Sequence, residues 1–188
     1  QDDGRDRDVE GVLEQVAASR LRGIVVNPTF MIGPCDVKPS SGKLILYGMK
    51  KNKVLFYPPG GKNFVHIYDV CKGIVNAIEH GETGNCYLLA GHNLSYREFF
   101  SLLNKISGER KFMVRIPVFV LKIAGIGASL FQRITRIQPK LSYTAAYMLC
   151  IDNYYSGKKS ERDLQVKYTP IEDAISGAVS WFRENNYF

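Results

Sequence analysis

The sequence predicts an α/β protein built on a parallel sheet. Strand-like runs alternate with amphipathic helical segments along its 188 residues, and such alternation favours helices packed on a parallel sheet. Residues 23–26 form a short apolar run that ends in two valines, which is typical of a strand buried on both faces. Hydrophobic residues make up 45% and charged residues 23%, a balance that supports one folded domain.

The first predicted elements lead to a loop at the sheet edge. Residues 1–8 are polar and predict a frayed end, and residues 9–20 repeat apolar side chains at helical spacing. A strand over residues 22–27 ends at Pro28, which has no N–H to continue a ladder. The Gly-, Pro- and Ser-rich residues 29–41 then predict a loop, at the edge where ligands bind in open α/β sheets.

The middle of the chain predicts two strands and two helices. A helix over residues 43–50 precedes a strand over 54–57, a turn at 58–61 and an alternating strand over 63–68. Asp69 is expected to cap the next helix through its carboxylate. That helix stops near Gly81, and its expected buried residues are Val70, Ile74, Ala77 and Ile78.

The last third predicts one strand and two capped helices. The strand covers residues 85–89, and a capping box at residues 95–98 opens a helix. A second box at residues 169–172 opens the final helix, with Pro170 in its first position. The expected apolar residues of these two helices are Phe99, Leu102, Leu103 and Ile106, then Ile171, Ile175, Ala178 and Phe182.

The charge pattern argues against nucleic acid and membrane partners. The formal net charge is +7, but the basic residues are scattered, which indicates a solvated surface. Residues 116–131 are apolar yet shorter than a spanning helix, and Lys122 lies in their middle. We therefore expect a buried or partly exposed amphipathic helix there, without membrane contact.

The cysteines predict free thiols rather than a metal site. The four residues form no CxxC pair and have no ligand spacing with the three histidines. Free thiols are typical of a reducing cytosol, and no signal peptide pattern opens the sequence. We therefore expect a cytoplasmic protein. The cysteines are Cys35, Cys71, Cys86 and Cys150.

No familiar catalytic or nucleotide-binding motif stands out. Residues 125–127 (GIG) lack the third glycine of a dinucleotide fingerprint and lie in an apolar helical stretch, so we interpret them as packing. Tyr-x-x-x-Lys occurs at 47/51, 154/158 and 155/159. With 11 tyrosines, chance matches are expected, and none precedes the strand at 23–26 on a helix.

Several segments, in this order and spacing, resemble the extended short-chain dehydrogenase/reductase (NAD-dependent epimerase/dehydratase) family. They are residues 22–34 (RGIVVNPTFMIGP), 64–73 (FVHIYDVCKG), 84–90 (GNCYLLA), 94–98 (LSYRE) and 181–183 (WFR). NPT, IGP and FVH are most similar to dihydroflavonol-4-reductase-like members. The resemblance implies the C-terminal part of a Rossmann-type parallel sheet plus a small mixed α/β substrate-binding lobe, over residues 9–188.

The resemblance also exposes a gap at the start of the chain. Val9-Glu10 is similar to the family's Ala-Glu pair, and counting back from it places the catalytic Lys at Asp6 and the catalytic Tyr at Asp2. The acid/base pair is therefore absent or replaced. Either the chain is a piece of a longer enzyme, which we favour, or it is a product that lacks the catalytic half.

The resemblance implies cofactor-binding positions just beyond the strand at 22–27. Asn27, Pro28, Thr29 and Phe30 correspond to positions that border the nicotinamide in the family. Backbone at this edge faces the crevice, and proline fixes its conformation. A simple strand-ending turn is the alternative.

Three further residues are implied as substrate-binding. Asn63 corresponds to an amide placed against substrate, with an ordinary turn residue as the alternative. His66 corresponds to a substrate-side donor, unless it is a structural histidine bonded to backbone. Lys62 lies where nucleotide-sugar members use Arg on a diphosphate, and Lys lacks the bidentate fork.

The implied activity is hydride transfer between NAD or NADP and a carbonyl, with this half inactive alone. Nucleotide-sugar epimerisation or dehydration is the rival reaction within the fold. A non-catalytic binding module that lost its active site is the rival from another class. Expected partners are a small-molecule carbonyl or sugar substrate and the missing amino-terminal half, and a homodimer remains open.

Overall fold

The computed structural model describes Gly11, residues 23–135 and residues 143–188 of the chain. The predicted frayed end at residues 1–8 lies outside this range, as does the predicted helix at residues 9–20 apart from Gly11. Asp2, Asp6 and the Val9-Glu10 pair are also outside it.

The described residues confirm an α/β protein in which strands and helices alternate. The strands are β1 (Val25–Pro28), β2 (Phe30–Ile32), β3 (Val54–Tyr57), β4 (Gly61–His66), β5 (Cys86–Leu89), β6 (His92–Ser95), β7 (Phe112–Arg115) and β8 (Asp152–Asn153). The helices are α1 (Lys43–Met49), α2 (Ile67–His80), α3 (Tyr96–Ser107), α4 (Val118–Thr135), α5 (Tyr143–Met148), α6 (Lys158–Asp163) and α7 (Ile171–Glu184).

The strands pair mainly in parallel. β1 runs parallel to β5, with Val25 opposite Cys86 and Pro28 opposite Leu89. β2 and β8 both run parallel to β4, and β6 pairs with β4 in the antiparallel direction. β3 and β7 form a separate parallel pair. This arrangement combines the parallel sheet and the mixed lobe that the sequence predicts.

β4 lies between two hydrophobic cores. Successive residues of a strand point to opposite faces, so Phe64 and Val65 enter different clusters. The Phe64 ring stacks on Phe99 of α3 with centroids 4.6 Å apart. On the other face, Val65 packs with Tyr87 and Leu89 of β5. β4 thereby ties the β1–β5 sheet to the helical lobe.

The predicted loop at residues 29–41 is wrong in its first part, because Phe30–Ile32 form strand β2. These three residues pair with Phe64, Val65 and His66 of β4, and Ile32 is buried. Thr29 and Gly33 flank a run of only three apolar residues, so its local pattern is that of a loop. The long-range partner β4 makes it a strand.

The predicted cap at Asp69 is also wrong. Helix α2 begins at Ile67, two residues inside the predicted strand, and His66 caps it by accepting a hydrogen bond from the Tyr68 N–H at 3.0 Å. The Asp69 carboxylate is instead fully buried. It accepts hydrogen bonds from the Thr169 N–H (2.7 Å) and the Thr169 hydroxyl (2.8 Å), and so holds the segment that leads into α7.

The second predicted capping box fails for the same reason. The Thr169 hydroxyl donates to Asp69, and Pro170, which has no side-chain cap bond, stands before the first helical residue Ile171. The first box is confirmed. The Ser95 hydroxyl accepts from the Glu98 N–H at 3.2 Å, and the Glu98 carboxylate accepts from the Ser95 N–H at 2.8 Å.

The predicted buried face of α2 is half right. Val70 and Ala77 are buried, but Ile74 and Ile78 are 45% and 69% exposed. The helical pattern cannot tell a side chain that faces the described core from one on the opposite flank. α2 therefore presents an apolar side that no described residue covers.

The apolar segment at residues 116–131 forms most of helix α4. Leu121 and Gly125 are buried, whereas Phe119, Ile123 and Ile126 are each more than half exposed. This confirms a partly exposed helix. Gly125 is buried, but a Cβ at Gly127 would meet open space, so the interpretation of Gly127 as a packing residue is wrong. None of the helices in the described ranges is long and apolar enough to cross a bilayer.

Replacing Asp69 with alanine should lower the free energy of unfolding by about 3 kcal/mol, because both donors of Thr169 lose a charged acceptor. Urea unfolding followed by circular dichroism measures this. The variant T169V removes only the hydroxyl donor and should cost less. A D69A loss no larger than that of T169V would contradict the role given to the carboxylate.

Candidate functional site

A crevice lies at the carboxyl ends of β1 and β5, the edge at which open α/β sheets bind ligands. Its volume is about 580 Å³. Strand ends, the middle of β4 and the segment after α5 all contribute to it. The lining residues are Pro28, Thr29, Phe30, Lys62, Asn63, Leu88, Met148, Asn153 and Tyr155.

Five of the seven residues that the resemblance implies line this crevice together. Pro28, Thr29 and Phe30 come from the β1–β2 junction, and Lys62 and Asn63 come from β4. The parallel pairing of β2 with β4 brings these two segments side by side. Residues 34 positions apart in sequence thus share one cavity.

Asn63 organises the polar side of the crevice. It is 2% exposed, and both ends of its amide are bonded. The oxygen accepts from the Thr29 hydroxyl at 2.7 Å, and the Nδ2 group donates to Asn93 Oδ1 at 2.7 Å and to the Tyr155 carbonyl at 3.4 Å. Asn63 therefore lies mid-strand and is no turn residue. It fixes three chain segments around the cavity.

The β1–β2 junction is held by its backbone as well as by Thr29. The Thr29 N–H donates to the Leu89 carbonyl at 3.1 Å, and its hydroxyl lies 3.2 Å from the same oxygen. Pro28 precedes it with a fixed φ. The junction thus presents a rigid edge of backbone and ring to the cavity.

Lys62 stands between this crevice and a second cavity. Its Nζ lies 4.5 Å from the centroid of the Phe30 ring, within reach of a cation–π interaction. Lys62 is half-buried, and this burial lowers the pKa of its ammonium group. Both Lys62 and Phe30 also line the second cavity, so the pair forms a shared wall.

The second cavity, of about 410 Å³, is mainly apolar. Its walls come from α1, β3, α3 and the start of α4. Burial raises the pKa of Tyr96 to about 12, so this phenol is neutral at physiological pH. The lining residues are Phe30, Ser40, Ser41, Lys43, Leu44, Tyr47, Phe56, Pro58, Lys62, Tyr96, Phe100, Ile116, Leu121 and Leu149.

Asn27 and His66 lie outside the lining of both cavities. The Asn27 amide donates to the Cys86 sulfur at 3.2 Å. His66 is 7% exposed, and burial lowers its pKa, although the carboxylates of Asp69 and Asp173 oppose that shift. A neutral ring leaves Nδ1 free to accept from the Tyr68 N–H, which is the structural role weighed from the sequence.

Sequence reasoning missed the segment that closes the crevice. Asn93 Oδ1 accepts from the Tyr155 N–H at 3.1 Å, and the Asn93 amide donates to the Tyr155 carbonyl at 3.0 Å. Asn153 joins them through β8, which pairs with β4. The pairing of β8 with β4 depends on distant residues, so the local sequence does not predict it. Asn93 and Asn153, polar residues beside strand-like patterns, were a signal that these segments could contribute to the site.

The three Tyr-x-x-x-Lys matches at 47/51, 154/158 and 155/159 do not form pairs within one helix. A fourth match, Tyr68/Lys72, lies within helix α2 but lines neither cavity. Tyr155 lines the crevice, but Lys159 Nζ bonds to Asn85 Oδ1 at 2.9 Å and lies over the ring of Tyr87. Tyr154 precedes α6, in which Lys158 is the first residue, and Lys51 follows the end of α1. The interpretation of these matches as chance is consistent with this geometry.

The crevice can hold a polar or anionic group and a flat apolar one. Lys62 supplies a proton donor, and the Thr29 hydroxyl, whose hydrogen is donated to Asn63, supplies an acceptor. Pro28, Leu88 and Phe30 supply apolar surface. No carboxylate lines either cavity among the described residues. Within the same ranges, no group of three or more His, Cys, Asp or Glu side chains is placed to hold a metal ion.

Comparison with known proteins shows which proteins the chain is similar to. No family model matches the chain. It is 27% identical over 170 residues to a putative dihydroflavonol 4-reductase of Synechocystis, covering 87% of this chain and 49% of that protein. The crystal structure of gox2253 superposes with a TM-score of 0.78 at 28% identity, over 95% of this chain and 54% of that one. These similarities support the resemblance to the extended short-chain dehydrogenase/reductase family that the sequence motifs indicate.

A second relative has a different named role. Sterol demethylase protein B of Methylococcus capsulatus is 26% identical over 174 residues, covering 90% of this chain and 53% of that protein. The chain thus spans about half the length of the curated relatives it matches, which fits the predicted carboxyl-terminal half of an extended short-chain dehydrogenase/reductase. Further solved neighbours under 25% identity share the fold, and several of them were crystallised with NAD.

Several solved neighbours carry NAD or NADPH, and the lining of the crevice offers surface suited to a flat ring. The opening lies at the carboxyl edge of parallel strands, where nicotinamide dinucleotides bind in such sheets. Pro28 and Leu88 offer apolar surface for a flat ring, and the neighbouring Thr29 hydroxyl offers a polar contact. The glycine fingerprint that holds the diphosphate is not in this sequence.

Replacing Asn63 with alanine should loosen the segment around Tyr155. The amide that orients Asn93 is lost, so the Tyr155 N–H should exchange with deuterium at least about tenfold faster, the equivalent of roughly 1.4 kcal/mol of lost protection. Hydrogen–deuterium exchange measures this directly. N52A, at an exposed asparagine, should leave the exchange unchanged. Equal exchange in both variants would contradict the network.

The Lys62 ammonium should titrate below the usual lysine pKa of 10.5, because burial disfavours its charge. The unfolded state then binds this proton more tightly, so the contribution of Lys62 to stability improves as pH rises through its folded pKa. A ¹³C NMR titration of the lysine Cε signals measures the pKa. F30L should lower it further by removing the ring that favours the cation. Titration at or above 10.5 would contradict the assignment.

Proposed function

We propose that this chain is the substrate-binding half of an NAD(P)-dependent oxidoreductase that reduces the carbonyl of an apolar substrate. The observation that carries this proposal is the junction of two cavities at Lys62 and Phe30. One cavity lies at the sheet edge where the cofactor ring belongs, and the other is an apolar chamber next to it. A substrate body in the chamber would direct its polar end toward the crevice.

Four residues of the crevice, Pro28, Thr29, Lys62 and Asn63, have separate parts in this proposal. Bound NAD(P)H supplies the hydride. Pro28 and Thr29 set the edge against which the ring rests, and Asn63 holds Thr29 and the Tyr155 segment in place. Lys62 offers an N–H donor to an oxygen at the boundary of the two cavities. The chamber excludes water from the apolar part of the substrate.

The lining of the chamber supports an apolar carbonyl over a nucleotide sugar. A diphosphate is held best by arginine forks or by several backbone N–H groups. The two cavities contain the lysines Lys43 and Lys62 and no arginine. Leu44, Phe56 and Phe100 instead supply surface that a fused or aromatic ring system would cover.

Nucleotide-sugar epimerisation or dehydration stays the second candidate. The single observation in its favour is Lys62, a cation at the position where nucleotide-sugar members grip a diphosphate. In either case we propose that the catalytic Tyr and Lys and the glycine fingerprint come from polypeptide outside these 188 residues. The chain by itself is then inactive.

The test is NAD(P)H oxidation by the protein that contains this chain, with an apolar aromatic ketone and with UDP-glucose as alternative substrates. Ser41 lines the chamber, so S41W should fill it and raise KM for the ketone at least about tenfold. The NADPH dissociation constant should stay unchanged. S101W, at an exposed serine on α3, is the matched control and should behave as the wild type.

Three results would overturn the proposal. Turnover of UDP-glucose without turnover of any ketone would favour the nucleotide-sugar reaction. If neither the longer protein nor the 188-residue chain binds NAD(P)H, a binding module without catalysis would be favoured. Equal effects of S41W and S101W would remove the chamber from the substrate site.

A further inference from the structure

The strand pair β3–β7 exposes an apolar side. Val54 and Phe56 of β3 are 39% and 50% exposed, and Phe112 of β7 is 72% exposed. Val54 lies directly opposite Phe112, so the side chains of these two residues lie on one face of the pair. Leu55, which alternates with them, is buried in the helical core. We call this face, with the basic residues beside it, the strand-pair surface.

The basic residues gather at the start of both strands. Lys50, Lys51 and Lys53 precede β3, and Arg110 and Lys111 precede β7. The Phe112 N–H donates to the Lys53 carbonyl at 2.9 Å, which brings the two basic segments together. Residues 50–56 and 109–115 contain one carboxylate, that of Glu109.

Most of these cations face water without an acidic partner. Lys111 Nζ is held by the carbonyls of Gly48 and Lys50. The other four side chains are exposed, and none forms an ion pair with another residue in the described ranges. The segments that flank the exposed Phe112 ring therefore carry a net positive charge, with Glu109 as their one acidic residue.

This combination matches an anionic bilayer surface. Exposed aromatic and aliphatic side chains enter the interface between headgroups and acyl chains, while lysines meet the lipid phosphates. A second copy of the chain would bring like charges together at the same face, which is unfavourable. Two residues separate the end of β7 from helix α4, which exposes a further apolar stripe at Phe119, Ile123 and Ile126.

We propose that the strand-pair surface docks this protein onto anionic membranes, lying on the bilayer without crossing it. This replaces the expectation, drawn from residues 116–131 alone, that the protein makes no membrane contact. The inference is independent of the proposed reaction, because none of the residues that would meet lipid lines the crevice. Of the residues on the strand-pair surface, Phe56 also lines the apolar chamber.

The experiment is co-sedimentation of the full-length protein that contains this chain with phosphatidylcholine vesicles and with equimolar phosphatidylcholine–phosphatidylglycerol vesicles. Binding is expected only to the anionic vesicles and should weaken as salt is added. F112S should weaken it about tenfold through lost apolar burial. K51E/K53E should weaken it at least about 25-fold, since each basic residue near such a surface contributes roughly fivefold.

Matched controls carry equivalent changes elsewhere on the chain. V37S alters a similarly exposed apolar residue in the segment after β2, and K158E/K167E reverses two exposed lysines far along the sequence. Both should bind vesicles as the wild type does. No sedimentation with anionic vesicles, or equal weakening by the control variants, would overturn the proposal. So would binding to a duplex DNA oligonucleotide without vesicle binding, since that result would assign the basic residues to nucleic acid.

Discussion

The buried amide of Asn63 is the constraint on which the crevice depends. It lies mid-strand in β4, where solvent cannot satisfy it, so each of its polar atoms needs a protein partner. Thr29, Asn93 and Tyr155 provide these partners from three separate parts of the chain. Because one side chain bonds to all three, the floor and the closing segment of the cavity move together.

The Lys62–Phe30 contact shows how a cation is kept beside an apolar chamber. Partial burial disfavours the charged form of the ammonium. The cation–π interaction with the Phe30 ring, whose centroid lies 4.5 Å away, offsets this by roughly 0.5 to 2 kcal/mol. The long aliphatic stem covers apolar surface while the charge stays at the rim. An arginine here would bring a larger planar group with a different set of ligand geometries.

The sequence predicted the elements with strong local signals and failed where distant partners decide the outcome. The capping box at Ser95 and the apolar run before Pro28 needed only neighbouring residues. Residues 30–32 form a strand because β4 pairs with them. Asp69 does not cap a helix because its carboxylate accepts two hydrogen bonds from Thr169, 100 positions away. At the site, the family pattern located Thr29, Lys62 and Asn63, whereas Asn93 and Tyr155 required the fold.

Strand β1 pairs with β5 on one side, and no described strand pairs with its other edge. Its amide and carbonyl groups on that edge form a ready template for another strand, next to the exposed Ile74 and Ile78 of α2. Handled as an isolated 188-residue polypeptide, the chain should self-associate through this edge as its concentration rises. Light scattering would measure this self-association. An increase in apparent mass with concentration would then reflect the unpaired β1 edge and not a physiological oligomer.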